Sequence, residues 1–361
     1  MQKIIIAGGG TGGHIFPAIA IANKLKERIP SVEILFIGAN GKMEMEKVPQ
    51  AGYRIEGLDI AGFNRSSILK NLSLPFKLAK SFWQVKQIIQ SFKPDAVIGV
   101  GGYSTYPVLR YAQTKGIPSF IHESNSFAGK ANMMLAKKAA KIFVATEGMD
   151  KFFPKSKIVI TGNPVRNSII NKESDQNTAL QYFKLDREKQ TVLVIGGSLG
   201  AKSINDAILL GLEQLEKNGL QLIWQTGNKN AEVYKQACDG KQTIWVGEFI
   251  KEMGLAYAAA DIVISRAGAM SVTELSLLGK AVIFVPYPLA AEDHQTVNAS
   301  VLVNKKAALM VKDATAAEQL IPAIISLSAD ADLRNALRKN IRVMAIANAD
   351  DIIVNEIISL F

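Results

Sequence analysis

Two glycine-rich turns constrain the fold of this 361-residue chain more than any other feature of its sequence. In "IIIAGGGTGGHIFPAIA" (4–20) and "VLVIGGSLGAKSINDAI" (192–208), a β-rich run enters glycines and continues into a helical pattern. Further β-rich runs alternate with amphipathic helical patterns: KIIIA, EILFI, AVIGV, PSFIH, KIFVA, TVLVI, LQLIW, TIWV, DIVIS and AVIFV. Such alternation is typical of parallel sheets built from βαβ units, so we predict an α/β fold with two doubly wound, Rossmann-like domains.

A break in this alternation predicts the domain boundary. Gly162, Asn163 and Pro164 interrupt the pattern within TGNPVRNSII, and the polar segment 171–177 follows. The expected parts are an N-terminal domain over 1–164, a C-terminal domain over 165–340, and a C-terminal helix within 341–361 that packs back on the N-terminal domain. Ligands of open α/β sheets bind at the carboxyl ends of the strands, so we expect the two domains to face a central cleft that holds the site.

The first glycine turn is suited to bind an anion. Its five glycines within residues 8–13 present bare backbone N–H groups at a helix N-terminus, where phosphate or diphosphate is the natural ligand. Gly8, Gly10 and Gly13 also satisfy the G-x-G-x-x-G pattern, but a dinucleotide site needs an acidic residue at the end of the next strand. Residues 38–40 are Gly-Ala-Asn, which disfavours a nicotinamide cofactor.

The residue after this turn is a histidine. A P-loop would place a lysine and then serine or threonine here, whereas the chain has His14 and Ile15, so ATP hydrolysis is disfavoured. A neutral imidazole accepts a proton at neutral pH, which an ammonium group does not, so His14 is a candidate general base for a hydroxyl nucleophile. A capping or phosphate-contacting histidine is the alternative, and position alone does not separate the two.

Positive charge is concentrated in the first half of the chain. Residues 1–164 carry 22 basic and 10 acidic residues, whereas 165–361 carry 20 and 22. This excess indicates an anionic partner for the first half, whether nucleic acid, acidic lipid or a phosphorylated substrate. No nucleic-acid-binding module is recognisable, so we expect no nucleic-acid partner.

One stretch, 60–94, contains no acidic residue. Its basic residues are Arg65, Lys70, Lys77, Lys80, Lys86 and Lys93, and its larger apolar residues include Phe63, Ile68, Leu69, Leu72, Leu74, Phe76, Leu78, Phe82 and Trp83. This combination predicts peripheral adsorption to an anionic membrane surface. The alternative is an ordinary helix after Pro75 whose apolar face lies in the core.

The remaining composition limits cysteine chemistry and membrane insertion. The only cysteine is Cys238, so we expect neither an internal disulfide nor a zinc site built on thiolates. A single cysteine also predicts that the protein occupies a reducing compartment. No signal peptide is recognisable, and the longest uncharged apolar runs reach about half of the roughly 20 residues that a transmembrane helix needs.

Six motifs in order carry a family resemblance. They are GGTGGHIFP, GVGGYSTYP at 99–107, HESNSFAGKAN at 122–132, TGNPVR at 161–166, GGSLGAKSIN at 196–205 and SRAGAMSVTELSLLGKAVIFVPYP at 265–288. The chain thereby resembles, up to about residue 310, the MurG family of bacterial GT-B N-acetylglucosaminyltransferases, which convert lipid I to lipid II in peptidoglycan synthesis. The resemblance implies inverting transfer from UDP-N-acetylglucosamine to the muramyl 4-hydroxyl of an undecaprenyl-diphosphate-linked acceptor. It also implies a peripheral location on the cytoplasmic face of the plasma membrane and a part in cell wall biogenesis, cell shape and cell division.

The resemblance also implies a set of site residues. The N-terminal domain would hold the acceptor, with Thr11, Gly12 and Gly13 where donor sugar and acceptor diphosphate meet, and Asn125 facing the sugar. The C-terminal domain would hold the donor, with Arg166 and Ser198 near its diphosphate and sugar and the Ile250 backbone reading uracil. Ala269, Met270, Ser271, Val272 and Thr273 would line the diphosphate and ribose, Glu274 would bind the ribose, and Gln295 would contact sugar hydroxyls.

Each of these assignments has a structural alternative. Glu274 could be a first-turn acid that complements a helix dipole, Arg166 a solvated hinge residue, Ser198 a turn residue, and Gln295 a surface residue at a helix start. His122 and Glu123 could form an acid/base pair or only structural hydrogen bonds. Ser124 and the pair Glu292–Asp293 depart from the family's usual HEQN and DNHQ, which leaves contacts at those loops open.

No metal or cofactor is expected. Asp330 and Asp332 read as caps of a polar helix rather than as a metal-binding D-x-D, so two helix ends and Arg166 would stabilise the leaving diphosphate. Three rival functions share part of this evidence: a UDP-N-acetylglucosamine 2-epimerase, a nicotinamide oxidoreductase, and a non-catalytic membrane adaptor.

Overall fold

The computed structural model describes residues 1–62, 73–165, 175–197 and 199–361. These residues form two compact units, one of Met1–Val165 with Ile346–Phe361 and one of Arg166–Ala345. The chain therefore passes into the second unit after Val165 and returns to the first after Ala345.

Every strand of the described residues lies in one of two parallel sheets. The strands are β1 Lys3–Ala7, β2 Glu33–Ala39, β3 Arg54–Leu58, β4 Ala96–Gly99, β5 Ser119–Glu123, β6 Lys141–Val144, β7 Ile158–Ile160, β8 Gln190–Ile195, β9 Leu220–Gln225, β10 Ile244–Gly247, β11 Ile262–Ser265, β12 Ala281–Phe284 and β13 Leu309–Met310. The first unit has the order β3-β2-β1-β4-β5-β6-β7 and the second β10-β9-β8-β11-β12-β13. The prediction of two Rossmann-like domains is confirmed.

The α-helices alternate with these strands. They are α1 Gly12–Arg28, α2 Glu44–Gln50, α3 Leu74–Phe92, α4 Thr105–Thr114, α5 Lys130–Ala136, α6 Gln176–Phe183, α7 Lys202–Lys217, α8 Ala231–Ala237, α9 Met253–Ala259, α10 Ala269–Leu277, α11 His294–Asn304, α12 Ala316–Ala329, α13 Ala331–Val343 and α14 Ala349–Ile358. Short 3₁₀ turns cover Met149–Lys151, Lys155–Lys157, Ala291–Asp293 and Asp313–Thr315.

All ten predicted β-rich runs are strands, but three strands lack a clear sequence signal. β3 reads RIEGL, with charged residues in place of an apolar run, while β7 and β13 have only three and two residues. All three lie at the edges of their sheets, where one strand face or edge stays open to solvent. Edge strands need no continuous apolar run, so the pattern did not reveal them.

The C-terminal helix α14 completes the core of the first unit. Its Ile353, Val354 and Ile357 are fully buried in one cluster with Ile21 and Leu25 of α1. On the same contact Arg28 and Lys24 reach Asp351 at 2.8 and 3.3 Å. The segment 346–361 is therefore part of the packing that supports α1.

Both sheets reverse their winding direction at one place, and this reversal positions the candidate site. The reversal lies between β1 and β4 in the first unit and between β8 and β11 in the second. The loops that follow these strands meet at the carboxyl edge of each sheet, which is the usual ligand position in such folds. Both glycine-rich turns lie there.

Candidate active site

Two glycine loops are in contact in the first unit, one after β1 and one after β4. The Gly9 N–H donates to the Gly101 carbonyl at 3.1 Å. A Cβ on Gly102 would lie 2.5 Å from the Gly9 carbonyl oxygen, and a Cβ on Gly8 would lie 2.3 Å from a Val100 methyl. The two backbones approach so closely that side chains are excluded, which explains the bare sequence of both turns.

Substitution of Gly102 tests this contact. Gly102 has φ +93° and no room for a Cβ, so Gly102→Ala is expected to lower the free energy of unfolding by more than about 2 kcal/mol through strain and clash. Gly116→Ala is the matched control, because Gly116 has φ +73° but no atom within 4 Å of the added Cβ. Urea unfolding of both variants gives the comparison, and equal losses would show that the contact is unimportant.

The helix that follows the first loop begins without a side-chain cap. Thr11 is the N-cap of α1 in an extended conformation, and its hydroxyl makes no capping hydrogen bond. Gly10 and Thr11 are exposed, whereas Gly12 and Gly13 are half-buried. An uncapped first turn with little side-chain cover offers its N–H groups to an anion.

His14 lies in the first turn of α1, with its ring against both glycine loops. Its Nδ1 is 3.0 Å from the Gly9 carbonyl oxygen. Because a carbonyl only accepts, Nδ1 carries the hydrogen, and the lone pair of the neutral ring is on Nε2. A Cβ on Gly101 would lie 2.7 Å from Nε2, so that nitrogen faces the second loop. The N-cap is Thr11, which removes the capping alternative for His14.

The loop after β5 carries a carboxylate that is fully engaged in structural hydrogen bonds. Glu123 accepts from the backbone N–H of Gly129 at 2.9 Å, from Asn132 Nδ2 at 2.9 Å, and from the backbone and side-chain N–H groups of Asn125 at 3.1 and 3.4 Å. These donors favour the structural alternative for Glu123. The carboxylate holds the loop that presents Asn125, and the Ser124 hydroxyl of that loop donates to the Gly13 carbonyl at 3.2 Å.

His122 is fully buried beneath the same loop. Burial lowers the pKa of His122 to about 4, an effect that the Gly162 backbone opposes and the nearby His14 adds to. Its Nδ1 lies 3.4 Å from the Ser124 hydroxyl. His122 is therefore neutral at physiological pH and has a packing role, not an acid/base pairing with Glu123.

The depressed pKa of His122 predicts a loss of stability in acid. Because the folded pKa is about 4 and the ordinary value is 6.5, the unfolded chain binds a proton that the folded chain rejects between these values. Stability is full above about pH 6.5 and falls as the pH drops toward 4, by up to about 3 kcal/mol. His122→Asn should remove this part of the pH dependence in urea unfolding at pH 7.5 and 4.5, and an unchanged dependence would contradict the prediction.

In the second unit, the Gln225 amide joins two loops. Its Nε2 donates to the Gly197 carbonyl at 3.0 Å, and its Oε1 accepts from the Ile250 N–H at 3.0 Å. Gly200 packs on the following turn, where an added Cβ would lie 1.9 Å from the Thr226 carbonyl oxygen. Sequence reasoning missed Gln225, although a glutamine at the end of a buried strand is a recognisable signal of a polar role.

The turn after β11 leads directly into helix α10. Gly268 is an extended N-cap without a side-chain bond, and the helix begins at Ala269. Glu274 is the sixth helical residue, so it is not the first-turn acid of the dipole alternative. It is 8% exposed and accepts from the Tyr257 hydroxyl at 2.9 Å. A largely buried carboxylate held by a tyrosine hydroxyl is pre-positioned for a polar ligand.

Arg266 organises the loop that leads to Gln295, and the sequence reasoning did not single it out. Its guanidinium donates to the Val285 and Pro286 carbonyls at 2.9 and 3.1 Å and to Asp313 at 2.5 Å. In the same loop the Tyr287 N–H donates to Gln295 Oε1 at 3.0 Å.

Backbone strain marks the start of α11. Glu292 and Asp293 both have positive φ, +51° and +52°. Two adjacent non-glycine residues in this region cost free energy and occur mainly at functional sites. At these two positions the chain departs from the Asp-Asn that begins the family's DNHQ motif. Asparagine, the second residue of that pair, tolerates a positive φ well.

The predicted site residues are thus distributed over both units. The first unit brings the Thr11–Gly13 segment, His14 and the Asn125 loop together at its carboxyl edge. The second unit places Ile250, residues 269–274 and Gln295 on loops and helix starts after its strands. Arg166 and Ser198 lie outside the described residues. The predicted capping role of Asp330 is confirmed, since its side chain accepts from the Leu333 N–H at 2.8 Å.

Comparison with known proteins assigns the chain to a family. The model of the glycosyltransferase family 28 N-terminal domain matches residues 4–144, and that of the family 28 C-terminal domain matches 191–353. The chain belongs to glycosyltransferase family 28. Both matched domains are glycosyltransferase domains, so the chain is an enzyme of that class and not a nicotinamide oxidoreductase.

Family 28 relatives are similar over nearly the whole chain. Proteins of Phocaeicola vulgatus and Parabacteroides distasonis are 49% and 50% identical over 361 residues, covering 99% of this chain and 96% and 98% of theirs. Both are named UDP-N-acetylglucosamine--N-acetylmuramyl-(pentapeptide) pyrophosphoryl-undecaprenol N-acetylglucosamine transferase. The crystal structure of Acinetobacter baumannii MurG is 30% identical, with a TM-score of 0.82 and coverage of 99% of this chain and 100% of that one. A UDP-GlcNAc 2-epimerase from Neisseria meningitidis, 16% identical with a TM-score of 0.70, shares the fold.

Two properties of the described residues bear on membranes and metals. In 1–62, 73–165, 175–197 and 199–361, no helix combines the length and hydrophobicity needed to cross a bilayer. Within the same ranges no group of three or more His, Cys, Asp or Glu side chains is arranged to hold a metal ion.

Proposed function

We propose that this chain transfers N-acetylglucosamine from UDP-N-acetylglucosamine to the 4-hydroxyl of the muramyl sugar of an undecaprenyl-diphosphate-linked MurNAc-pentapeptide, with inversion at the anomeric carbon. The observation that carries the proposal is the similarity of 49–50% identity over 99% of the chain to transferases named for this reaction. The geometry of both glycine-rich turns and of His14 agrees with it. The product would enter peptidoglycan synthesis.

The first unit is the acceptor side in this proposal. The acceptor carries a diphosphate, and the uncapped first turn of α1 with its Thr11–Gly13 segment offers N–H groups and a positive helix end to it. His14 Nε2 accepts the proton of the muramyl hydroxyl as that oxygen attacks the anomeric carbon. The Nδ1–H bond to the Gly9 carbonyl keeps Nε2 free for this step. Asn125, held by Glu123, would face the sugar.

The second unit is the donor side. The Ile250 backbone would read the uracil, Glu274 would accept hydrogen bonds from the ribose hydroxyls, and Gln295 would contact the transferred sugar. As the bond to the sugar breaks, the leaving UDP gains one negative charge on its β-phosphate. The N-terminal amides of α10 would stabilise this charge together with Arg166 and the Ser198 loop. Transfer would then need no metal ion and no cofactor.

Product analysis tests the proposed reaction. The full chain is incubated with labelled UDP-N-acetylglucosamine and polyprenyl-diphosphate MurNAc-pentapeptide, in buffer with EDTA. We expect label in the organic-extractable lipid, a mass increase of one N-acetylhexosamine, and release of UDP. Free epimerised sugar without labelled lipid would replace the proposal by the epimerase alternative, and a requirement for added metal would refute metal independence.

We further propose that the exposed face of α3 adsorbs to an anionic membrane surface on the cytoplasmic side. The core alternative holds for one face, since Ser81, Val85, Ile88 and Ile89 are buried. The other face presents Phe76 and Trp83, which are 79% and 59% exposed, among the exposed Lys77, Lys80 and Lys86. Aromatic and basic side chains together are the composition of an interfacial helix. The rest of the basic stretch, 63–72, lies outside the described residues.

The membrane proposal makes a measurable prediction. The double variant Phe76→Ser/Trp83→Ser should lower binding to vesicles with anionic lipid by about tenfold or more, because each buried aromatic contributes about 1.5–3 kcal/mol. Leu210→Ser is the matched control, since Leu210 is 73% exposed on α7 of the second unit. Co-sedimentation with the vesicles measures binding, and comparing low with high salt shows the electrostatic part contributed by the lysines. Equal binding of the double variant and the wild type would refute the proposal.

A further inference from the structure

One peptide group of the first glycine loop is held from both sides. The carbonyl of the Gly9–Gly10 peptide accepts from His14 Nδ1 at 3.0 Å, and the N–H of the same peptide donates to Glu44 Oε2 at 2.7 Å. The chain has no cis peptide among its described residues, so the C=O and N–H of this group point in opposite directions. Glu44 and His14 therefore lie at opposite edges of one rigid, planar group.

Glu44 is itself firmly placed. It is the first residue of α2 and only 1% exposed, and its second oxygen, Oε1, accepts from the Ala39 N–H at 3.0 Å. The carboxyl group packs against two glycines: a Cβ on Gly9 would lie 2.2 Å from Glu44 Cδ, and a Cβ on Gly38 would lie 2.5 Å from Glu44 Cγ. The carboxylate thus ties the end of β2 to the glycine loop.

The cost of this arrangement calls for a role beyond packing. Glu44 is a buried carboxylate for which no ion pair with a described Lys, Arg or His exists, and burial of an unpaired charge is expensive. It also lies next to a loop suited to anions, where its charge opposes binding of a diphosphate. A feature with these two costs is explained best by what it does to the peptide that it holds.

We propose that Glu44 is a positioning residue for His14, acting through the Gly9–Gly10 peptide; this rests on the proposed role of His14 as the base. By accepting the Gly10 N–H, Glu44 fixes the peptide plane with its carbonyl aimed at His14 Nδ1. That carbonyl keeps the hydrogen on Nδ1 and the lone pair on Nε2. The negative charge also polarises the peptide, which strengthens the carbonyl as an acceptor and stabilises the imidazolium formed when Nε2 takes a proton.

This arrangement has the logic of a Ser-His-Asp triad with a peptide group inserted. In the triad a buried carboxylate holds the imidazole directly in the required tautomer. Here the carboxylate holds a peptide, and the peptide holds the imidazole. The acidic residue sought at the end of β2 for a dinucleotide ribose is absent at 38–40, and the nearby Glu44 is turned toward the loop instead.

Nitrogen NMR of the histidines tests the inference without any substrate. The chain has three histidines, so 15N-imidazole labelling gives three ring systems, and His14→Gln assigns the signals of His14. In the wild type we expect His14 as the Nδ1–H tautomer, and an exchange rate of the exposed Gly10 amide at least about 100-fold slower than that of an unstructured glycine. A wild-type Nε2–H tautomer, or an unprotected Gly10 amide, would overturn the proposal even if no Glu44 variant folds.

Glu44→Gln removes the charge at nearly constant shape. We expect the separation of the two His14 ring nitrogen signals to shrink as both tautomers become populated, and Gly10 exchange to accelerate. Glu46→Gln is the matched control on the same helix, because the exposed Glu46 carboxylate bonds, among the described residues, only Lys47 and Gln50. An unchanged His14 tautomer in folded Glu44→Gln would refute the positioning role.

Kinetics separate this inference from the proposed function. Glu44→Gln should lower kcat by at least about tenfold, as part of the 10²–10⁴ that a general base contributes, with KM for UDP-N-acetylglucosamine changed by less than about twofold. A merely structural role would reduce the active fraction without moving the tautomer, and would overturn the inference. A shifted tautomer with full kcat would support the positioning of the ring by Glu44 and refute His14 as the base.

Discussion

Replacement of His14 by glutamine is expected to lower kcat by about 10²–10⁴-fold, the range that a positioned general base contributes. Glutamine keeps a polar side chain of similar reach but has no lone pair that takes up a proton. His14 contacts the Gly9 carbonyl and lies against Gly101 without filling a core position, so folding should be retained. The measurement is initial rate of UDP release with saturating donor and acceptor, beside thermal unfolding of the same preparation.

The KM values of His14→Gln show what a loss of its activity means. KM for UDP-N-acetylglucosamine should stay near its wild-type value, because His14 lies in the first unit and the predicted donor residues lie in the second. If the loss appeared only as a raised KM for the acceptor, with kcat unchanged, His14 would be a phosphate-contacting residue, the alternative that its position in the sequence left open. If neither kcat nor KM changed, His14 would not be part of the active site.

Glu274→Ala is expected to lower kcat/KM for UDP-N-acetylglucosamine by about 100-fold or more, because hydrogen bonds to a charged group contribute about 1.5–3 kcal/mol each. A carboxylate in the second turn of α10, 8% exposed and held by Tyr257, can accept from both ribose hydroxyls. Isothermal titration with UDP gives the binding part of the effect without turnover, and the acceptor KM should not change.

Tyr257→Phe serves as the control for this substitution. It deletes the hydroxyl that donates to Glu274 Oε2 but leaves the carboxylate in place, so the affinity for UDP should fall by no more than about tenfold. If Glu274 only favoured the helix, Glu274→Ala would cost about 0.3–1 kcal/mol of stability and leave UDP affinity unchanged. That result would indicate that a residue other than Glu274 binds the ribose.

Much of the fold could be predicted from local sequence, because buried parallel strands have a strong sequence signature. Central strands such as β1 and β8 are covered on both faces and read as continuous apolar runs, and the glycines after them mark where backbone must approach backbone. The edge strands β3, β7 and β13 lacked this signature and were missed.

The residues around the site were harder to foresee because their partners are distant in the chain. Glu44 bonds Gly10 across 34 positions, Gln225 bonds Ile250 across 25, and Arg266 bonds Asp313 across 47. In the sequence each is an ordinary polar residue with nothing adjacent to explain it. Glu123 shows the reverse: its motif suggested acid/base chemistry, and the four hydrogen bonds it accepts show an anchor for the Asn125 loop.

The sequence by itself determined the class of fold, the two glycine-rich turns and the family, because strand periodicity, glycine spacing and motif order are all local properties of the chain. Only the tertiary structure decided which nitrogen of His14 bears the hydrogen, that Glu274 lies beyond the reach of a first-turn dipole effect, and that Glu44 lies behind the glycine loop. Hydrogen-bond direction and burial depend on what the fold brings alongside a residue, and no pattern within a single segment contains that information.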